Sequence, residues 1–183
     1  MKNIVFLLSI VTIGCSTPKF NPENVVKNYV RALNTGNFNL ISANISDSLL
    51  YWEMEYLVSD SKDKFYENFK WDSVFLPQVE LIEFISLGKD SASVILSKNC
   101  QRIQFLQGKN LVCKQNYYFE NNILTKIKNT KFIDEDFAIW AANLDSLNIF
   151  IDANHSDLSG FANDISLKGA QNYLKAIDLY KNR

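Results

Sequence analysis

The chain has 183 residues, a formal net charge of −1 and 13% aromatic residues. A near-neutral balance without a basic stripe excludes a nucleic-acid binder that works by charge, and no acidic run argues for a cation store. The length suits one ordinary domain with a sizeable core, and the thirteen phenylalanines either fill that core or line an apolar pocket. Lys outnumbers Arg 16 to 3 and Asn occurs 21 times, a bias that reads as AT-rich coding rather than as function.

Met1-Lys2-Asn3, an apolar run from Ile4 to Ile13, Gly14 and Cys15 open the chain. The run is shorter than the roughly 20 residues that cross a bilayer. It suits the central part of a secretory signal, with Lys2 as the positive start. The order resembles a bacterial lipoprotein signal, with Ile13 and Gly14 before the cysteine and Thr12 where that pattern usually has Leu. The resemblance implies a signal peptide over 1–14, a lipidated Cys15 and a short tether over 15–20. Acyl chains at about 0.8 kcal/mol per buried methylene then hold the protein at a membrane. The tether carries no acidic run, which implies a periplasm-facing anchor in a Gram-negative cell envelope. The alternative is an ordinary signal peptide with a chance cysteine.

Asn21-Pro22 reads as a helix cap followed by proline at the first helical position. Val25, Val26, Tyr29, Val30 and Leu33 continue at helical spacing to Gly36, and Phe38, Leu40 and Ile41 suggest a second, short helix. From Leu49 to Leu57 the pattern alternates, with Leu50, Trp52, Met54 and Tyr56 on one face and Tyr51, Glu53 and Glu55 on the other. Ser59-Asp60-Ser61 caps a third helix that carries Phe65, Tyr66 and Phe69 towards Trp71. Val79–Leu87 and the stretch from Ala92 to Leu96 read as strands around a Gly88-Lys89-Asp90 turn. A long strand or arm continues through Ile103 and Phe105, returns after Gly108 and runs to Phe119. Asn121-Asn122 suits a tight hairpin into a last strand over Ile123–Ile127. Helical period returns at Asp134, with Phe137, Trp140, Ala141, Leu144, Leu147 and Ile151 on one stripe. A final helix starts near Asn163.

Beyond Cys15, the cysteines Cys100 and Cys113 form an even pair. In an oxidising compartment they read as a disulfide across Gln107-Gly108-Lys109, worth about 3 kcal/mol in the chain-entropy model, or as two separate buried thiols. Two cysteines and one distant histidine, His155, make no recognisable metal-ligand set, and no cofactor motif is present.

The order helix, short helix, strand, helix and then a meander of long strands resembles the nuclear transport factor 2-like superfamily, which includes SnoaL-like and ketosteroid-isomerase-like proteins. The stretch from Pro22 to Phe38 is similar to that superfamily's opening helices, and Tyr117-Tyr118-Phe119-Glu120-Asn121-Asn122-Ile123-Leu124 to its closing hairpin. The resemblance implies an α+β fold: a cone-like curved antiparallel sheet wrapped around the N-terminal helices over 21–132. A C-terminal helical extension over 133–183 packs on the same domain. It also implies a cavity lined by Tyr29, Trp52, Tyr56, Phe69, Trp71, Asp72 and Tyr117.

Isomerase-type relatives use a cavity carboxylate as base with a Tyr beside it, and burial raises such a carboxyl's pKa. Asp72, beside Trp71, is the local candidate, with Tyr29, Tyr56 and Tyr117 as partners; the plain alternative is a helix-end or turn residue. Glu53 and Glu55 read as a solvated face, His155 as a cap or surface residue, and Trp52, Trp71 and Trp140 as core. The first functional expectation is a membrane-anchored, non-catalytic binder of a small apolar ligand or a protein partner. The second is an acid–base enzyme of the isomerase or cyclase type. The third is a structural role in which the tail or another copy covers the open sheet face, giving a monomer or a homodimer.

Overall fold

The computed structural model describes residues 20–183. The signal segment, Cys15 and the tether as far as residue 19 lie outside them. Helix α1 (Pro22–Thr35) starts where the sequence places it: the Asn21 side chain accepts the Glu23 N–H at 2.9 Å, and Pro22 holds the first helical position. It buries Val25, Val26, Tyr29, Ala32 and Leu33 and stops at Gly36, whose φ of 64° only glycine adopts without cost. A single turn, α2 (Asn39–Ser42), leads to β1 (Ile45–Glu53), and the two residues Met54 and Glu55 turn the chain into β2 (Tyr56–Ser59). Ser61 caps α3 (Lys62–Ser73) by accepting the Lys64 N–H. Then come β3 (Gln78–Ser86), β4 (Ser91–Asn99), α4 (Gln101–Gln107), β5 (Leu111–Glu120) and β6 (Ile123–Asp134). The hairpin between β5 and β6 turns on Asn121 and Asn122, both at positive φ, as their side chains allow.

The six strands form one sheet in the order β2-β1-β6-β5-β4-β3. Its pairs are antiparallel except β1 with β6, which run parallel, so the sheet is mixed rather than wholly antiparallel. Bulges at Tyr51/Trp52, Leu81/Glu83 and Tyr118/Phe119 break the register and bend the strands around α1 and α3. The edge strand β3 is held by α1. The Asn34 side chain donates to the Val79 carbonyl at 2.8 Å and accepts the Val79 N–H at 2.6 Å, standing in for a neighbouring strand.

Two expectations are corrected here. Residues 101–107 are helical, not an arm of strand: Ile103, Leu106 and Gln107 are buried at helical spacing. The inward face of β1 is Leu49 and Tyr51, while Trp52 lies on the opposite side of the strand from Tyr51. The sequence pattern runs one alternation through the Met54–Glu55 turn, so Met54 and Tyr56 add apolar weight to the face of Leu50 and Trp52, whereas the strand ends at Glu53 and buries the other face.

After β6 come α5 (Phe137–Asn154), two 3-10 turns and α6 (Leu167–Lys181). His155 caps the C-terminus of α5, as a break between helices requires. The stripe of α5 does not cross the sheet: Leu144, Leu147 and Ile151 pack with α3, α4 and α6. Among the described residues, no helix is long and apolar enough to cross a membrane.

Two hydrophobic cores result. The first joins α1 and the front of α3 (Phe65, Phe69) to the inner sheet face, with Leu96, Tyr117 and Ile127. The second joins Trp71 and Phe75, at the far end of α3, to Leu147, Ile151, Phe161, Tyr173 and Ile177.

Candidate functional site

A cavity of about 600 Å³ lies where the two cores part. Its walls come from β1 and β2 (Tyr51, Glu53, Tyr56, Val58), from α3 (Trp71, Asp72), from α4 (Arg102) and from Ile165 ahead of α6. A recess of about 80 Å³ adjoins it, shares Tyr51, Glu53, Asp72 and Arg102, and is closed by Leu33, Val79, Lys98 and Cys100.

The local pattern explains why α3 delivers Asp72 here. Phe65, Phe69 and Asp72 stand at i, i+4 and i+7, one face of a helix, so Asp72 continues the stripe that enters the first core. Trp71 is turned about 100° away. It is nearly buried in the second core, with its indole N–H donating to the Asp164 carbonyl at 3.1 Å. On β1, Glu53 follows Tyr51 by two residues and shares its inward side. The Tyr51 hydroxyl donates to Glu53 Oε1 at 3.1 Å. Lys98 is the inward residue of β4 opposite Val79 and Leu111.

Four charged side chains from four elements therefore face one space: Glu53, Asp72, Lys98 and Arg102. Among the described residues none of them forms an ion pair within 4.0 Å. Asp72 is exposed to the cavity, yet protein surrounds it on the other sides. The water displaced by that protein raises its carboxyl pKa above the usual Asp value. Arg102 and Lys98 draw it partly back, and Glu53 adds to the rise. Burial lowers the pKa of Lys98, but Asp72 and Glu53, joined at high pH by Cys113 and Tyr29 as those groups ionise, outweigh it and hold the ammonium above its ordinary value.

The sequence-predicted site residues divide. Tyr56, Trp71 and Asp72 come together around the cavity. Tyr29, Phe69 and Tyr117 are core instead, so aromatic rings fill this part of the cone. Tyr29 packs against Phe65 and Tyr117 at 6.1 Å between ring centroids, and burial raises its phenol to about 12. The Tyr117 hydroxyl donates to Gln115 Oε1 at 2.8 Å. Trp52 is outside the cavity lining, and no tyrosine donates to the Asp72 carboxyl among the described residues. Glu53 is not simply part of a solvated face, since it lines the cavity. Tyr51 and Arg102 are further additions that the sequence reading missed. Their signals were the true phase of β1 and the helical spacing within 101–107.

Cys100 and Cys113 are free thiols, not a disulfide. Cys100 caps α4, its Sγ accepting the Ile103 N–H at 3.4 Å, while Cys113 points inward on β5 opposite Leu96. The helix between them replaces the hairpin that would have joined them. Burial pushes both thiols up, so neither is a ready nucleophile at neutral pH. Among the described residues no group of three or more His, Cys, Asp or Glu is placed to hold a metal ion.

Solved structures identify the fold. An NTF2-like protein of unknown function from Cytophaga hutchinsonii superposes with a TM-score of 0.51 at 14% identity, covering 63% of this chain and 92% of that one. A protein from Kribbella flavida gives 0.52 at 10% identity, covering 67% and 95%. Bal32a, from a soil-derived mobile gene cassette, gives 0.51 at 11% identity, covering 67% and 93%. No protein-family model and no curated protein sequence matches the chain. The chain adopts the nuclear transport factor 2-like fold, a fold that by itself assigns no activity.

Proposed function

We propose that this chain is a lipid-anchored binding protein of a Gram-negative cell envelope, held through Cys15 and facing the periplasm. Its cavity takes a small, largely apolar molecule without transforming it. The observation that carries the binding half is the cavity of about 600 Å³, whose apolar wall is Tyr51, Tyr56, Val58, Trp71 and Ile165 and whose polar wall is Glu53, Lys64, Glu67, Asn68, Asp72 and Arg102. That volume lies within the range of small-molecule sites. The anchoring half rests on the sequence from Lys2 to Cys15.

Native mass spectrometry of the protein extracted from bacterial membranes tests both halves. The expected result is a chain that begins at Cys15, carries the mass of its acyl chains, and loses a further small-molecule mass on denaturation. An unmodified N-terminus overturns the anchor. A bare protein mass counts against the small-molecule ligand and in favour of a protein partner.

A second reading is an acid–base enzyme of the isomerase or cyclase type with Asp72 as base. Asp72 lines the same cavity as the Tyr51–Glu53 hydrogen bond, but this reading asks for a buried carboxyl beside a tyrosine, and Asp72 is exposed with no tyrosine donating to it among the described residues. Solvent-deuterium exchange into a captured ligand, lost in Asp72→Asn, would favour this reading over simple binding.

A further inference from the structure

Arg102 is an arginine with no close ion pair: Asp72 feels its charge only through space, and its neutral partner is the Tyr173 hydroxyl. Its guanidinium lies over the rings of Trp71 at 4.9 Å, Trp140 at 5.2 Å and Phe75 at 5.7 Å. Among the described residues it forms no ion pair within 4.0 Å, and its Nε is buried with no hydrogen-bond partner. A buried donor left unmade is costly, and a guanidinium is normally given an acceptor. The aromatic faces hold the cation in place without neutralising it. The side chain borders both the outer cavity and the inner recess.

The surroundings restrict what could complete it. A planar, two-oxygen acceptor matches the guanidinium fork, and taking its Nε edge would satisfy the orphaned donor. Glu53 and Asp72 face the same space and Glu67 lines the outer cavity, so each further negative charge on a ligand meets repulsion, with Lys98 at the recess and Lys64 at the outer wall as the other cations. One negative charge suits this balance better than two. The recess of about 80 Å³ has room for a head group, and the aromatic walls of the larger space have room for a body.

We infer that the ligand is an amphipathic monocarboxylate, its apolar body between Tyr51, Tyr56 and Trp71 and its carboxylate received by Arg102. This rests on the binding reading above and gives it a ligand class. Trp140, contributed by α5, makes the helical tail part of the receiving group.

The sequence makes the test simple, because Arg31, Arg102 and Arg183 are the chain's three arginines. The full chain in phospholipid nanodiscs, labelled with 15N at arginine and tryptophan, is titrated with 3-phenylpropanoate, 3-phenylpropanol and phenylphosphonate, with the Arg102 signal identified through Arg102→Lys. The Arg102 Nε–H and the Trp71 indole N–H are followed. The expected result is a saturable shift of both signals with the carboxylate, binding at least tenfold tighter than the alcohol, and a weaker response to the phosphonate dianion. Equal binding of carboxylate and alcohol, with Trp71 moving and Arg102 still, overturns the carboxylate and leaves the cavity reading standing. Tighter binding of the phosphonate overturns the single-charge assignment. If neither signal moves with any probe, both the inference and the cavity reading fail.

Discussion

The two cores are built from similar residues and solve different problems. The helical core of Phe75, Leu147, Ile151, Phe161, Tyr173 and Ile177 closes on itself, its rings meeting edge to face. The cone core closes less completely. Gln115 and Asn129 are buried in it with unmet amide atoms, beside the phenols of Tyr29 and Tyr117. Helix α3 and the turn after it serve both, Phe65 and Phe69 facing one and Trp71, with Phe75 just past the helix end, the other. The cavity opens at Asp72, where the two faces diverge. The helical core contributes an edge to the cavity through Trp71 and through Arg102, which lies over Trp71 and Phe75, while Tyr51, Glu53 and Asp72 come from the cone side.

The comparison breaks most visibly if the cores separate. Phe75→Ala removes a fully buried ring that touches Trp71 and Tyr173 and is expected to cost about 3–5 kcal/mol. Because α3 links the cores, denaturant unfolding followed by circular dichroism should remain a single transition. Two transitions would show that the tail melts alone. Gly169→Ala probes the seam itself. A Cβ there would stand 2.0 Å from the Asp164 carbonyl that accepts the Trp71 indole, so the variant should lose about 1–3 kcal/mol despite alanine's better helix propensity. An unchanged denaturation midpoint would mean that α6 can shift freely.

The smallest effect lies on the cone side. The pKa of Asp72 is raised by folding, so the folded chain holds that proton more tightly than the unfolded one. Its ionised form therefore costs stability. The cost is absent below the ordinary value of 3.8 and grows as pH rises through the raised one. Asp72→Asn should melt slightly higher than the parent at pH 7, and the two curves should converge in acid. A variant that melts lower at pH 7 would mean that the ionised carboxyl is stabilising.

Much of this arrangement was legible where local chemistry decides. Asn21-Pro22, Gly36, Ser61 and Asn121-Asn122 mark ends and turns through groups on their own side chains or backbone, and the structure uses them so. Tertiary choices were not legible in the same way. The sequence Gln101–Gln107 alternates well enough for a strand, and its packing against α5 and α6 makes it helical. The inward face of β1 is set by packing against α3, and the apolar residues Leu50 and Trp52 lie on the other face. The candidate site divides along the same line. Trp71 and Asp72 followed from the resemblance to isomerase-type relatives and their adjacency, whereas Arg102 needed α4 and Glu53 needed the inward face of β1.

The grip of Asn34 on Val79 has a meaning outside the folded molecule's own stability. β3 ends the sheet, and a sheet edge offers free backbone donors and acceptors to any other extended chain. By occupying both the N–H and the carbonyl of Val79, a helix side chain removes one rung from that ladder at the point where β3 begins. Wherever copies of the chain come close together, such a blocked rung makes edge-to-edge pairing through the start of β3 harder.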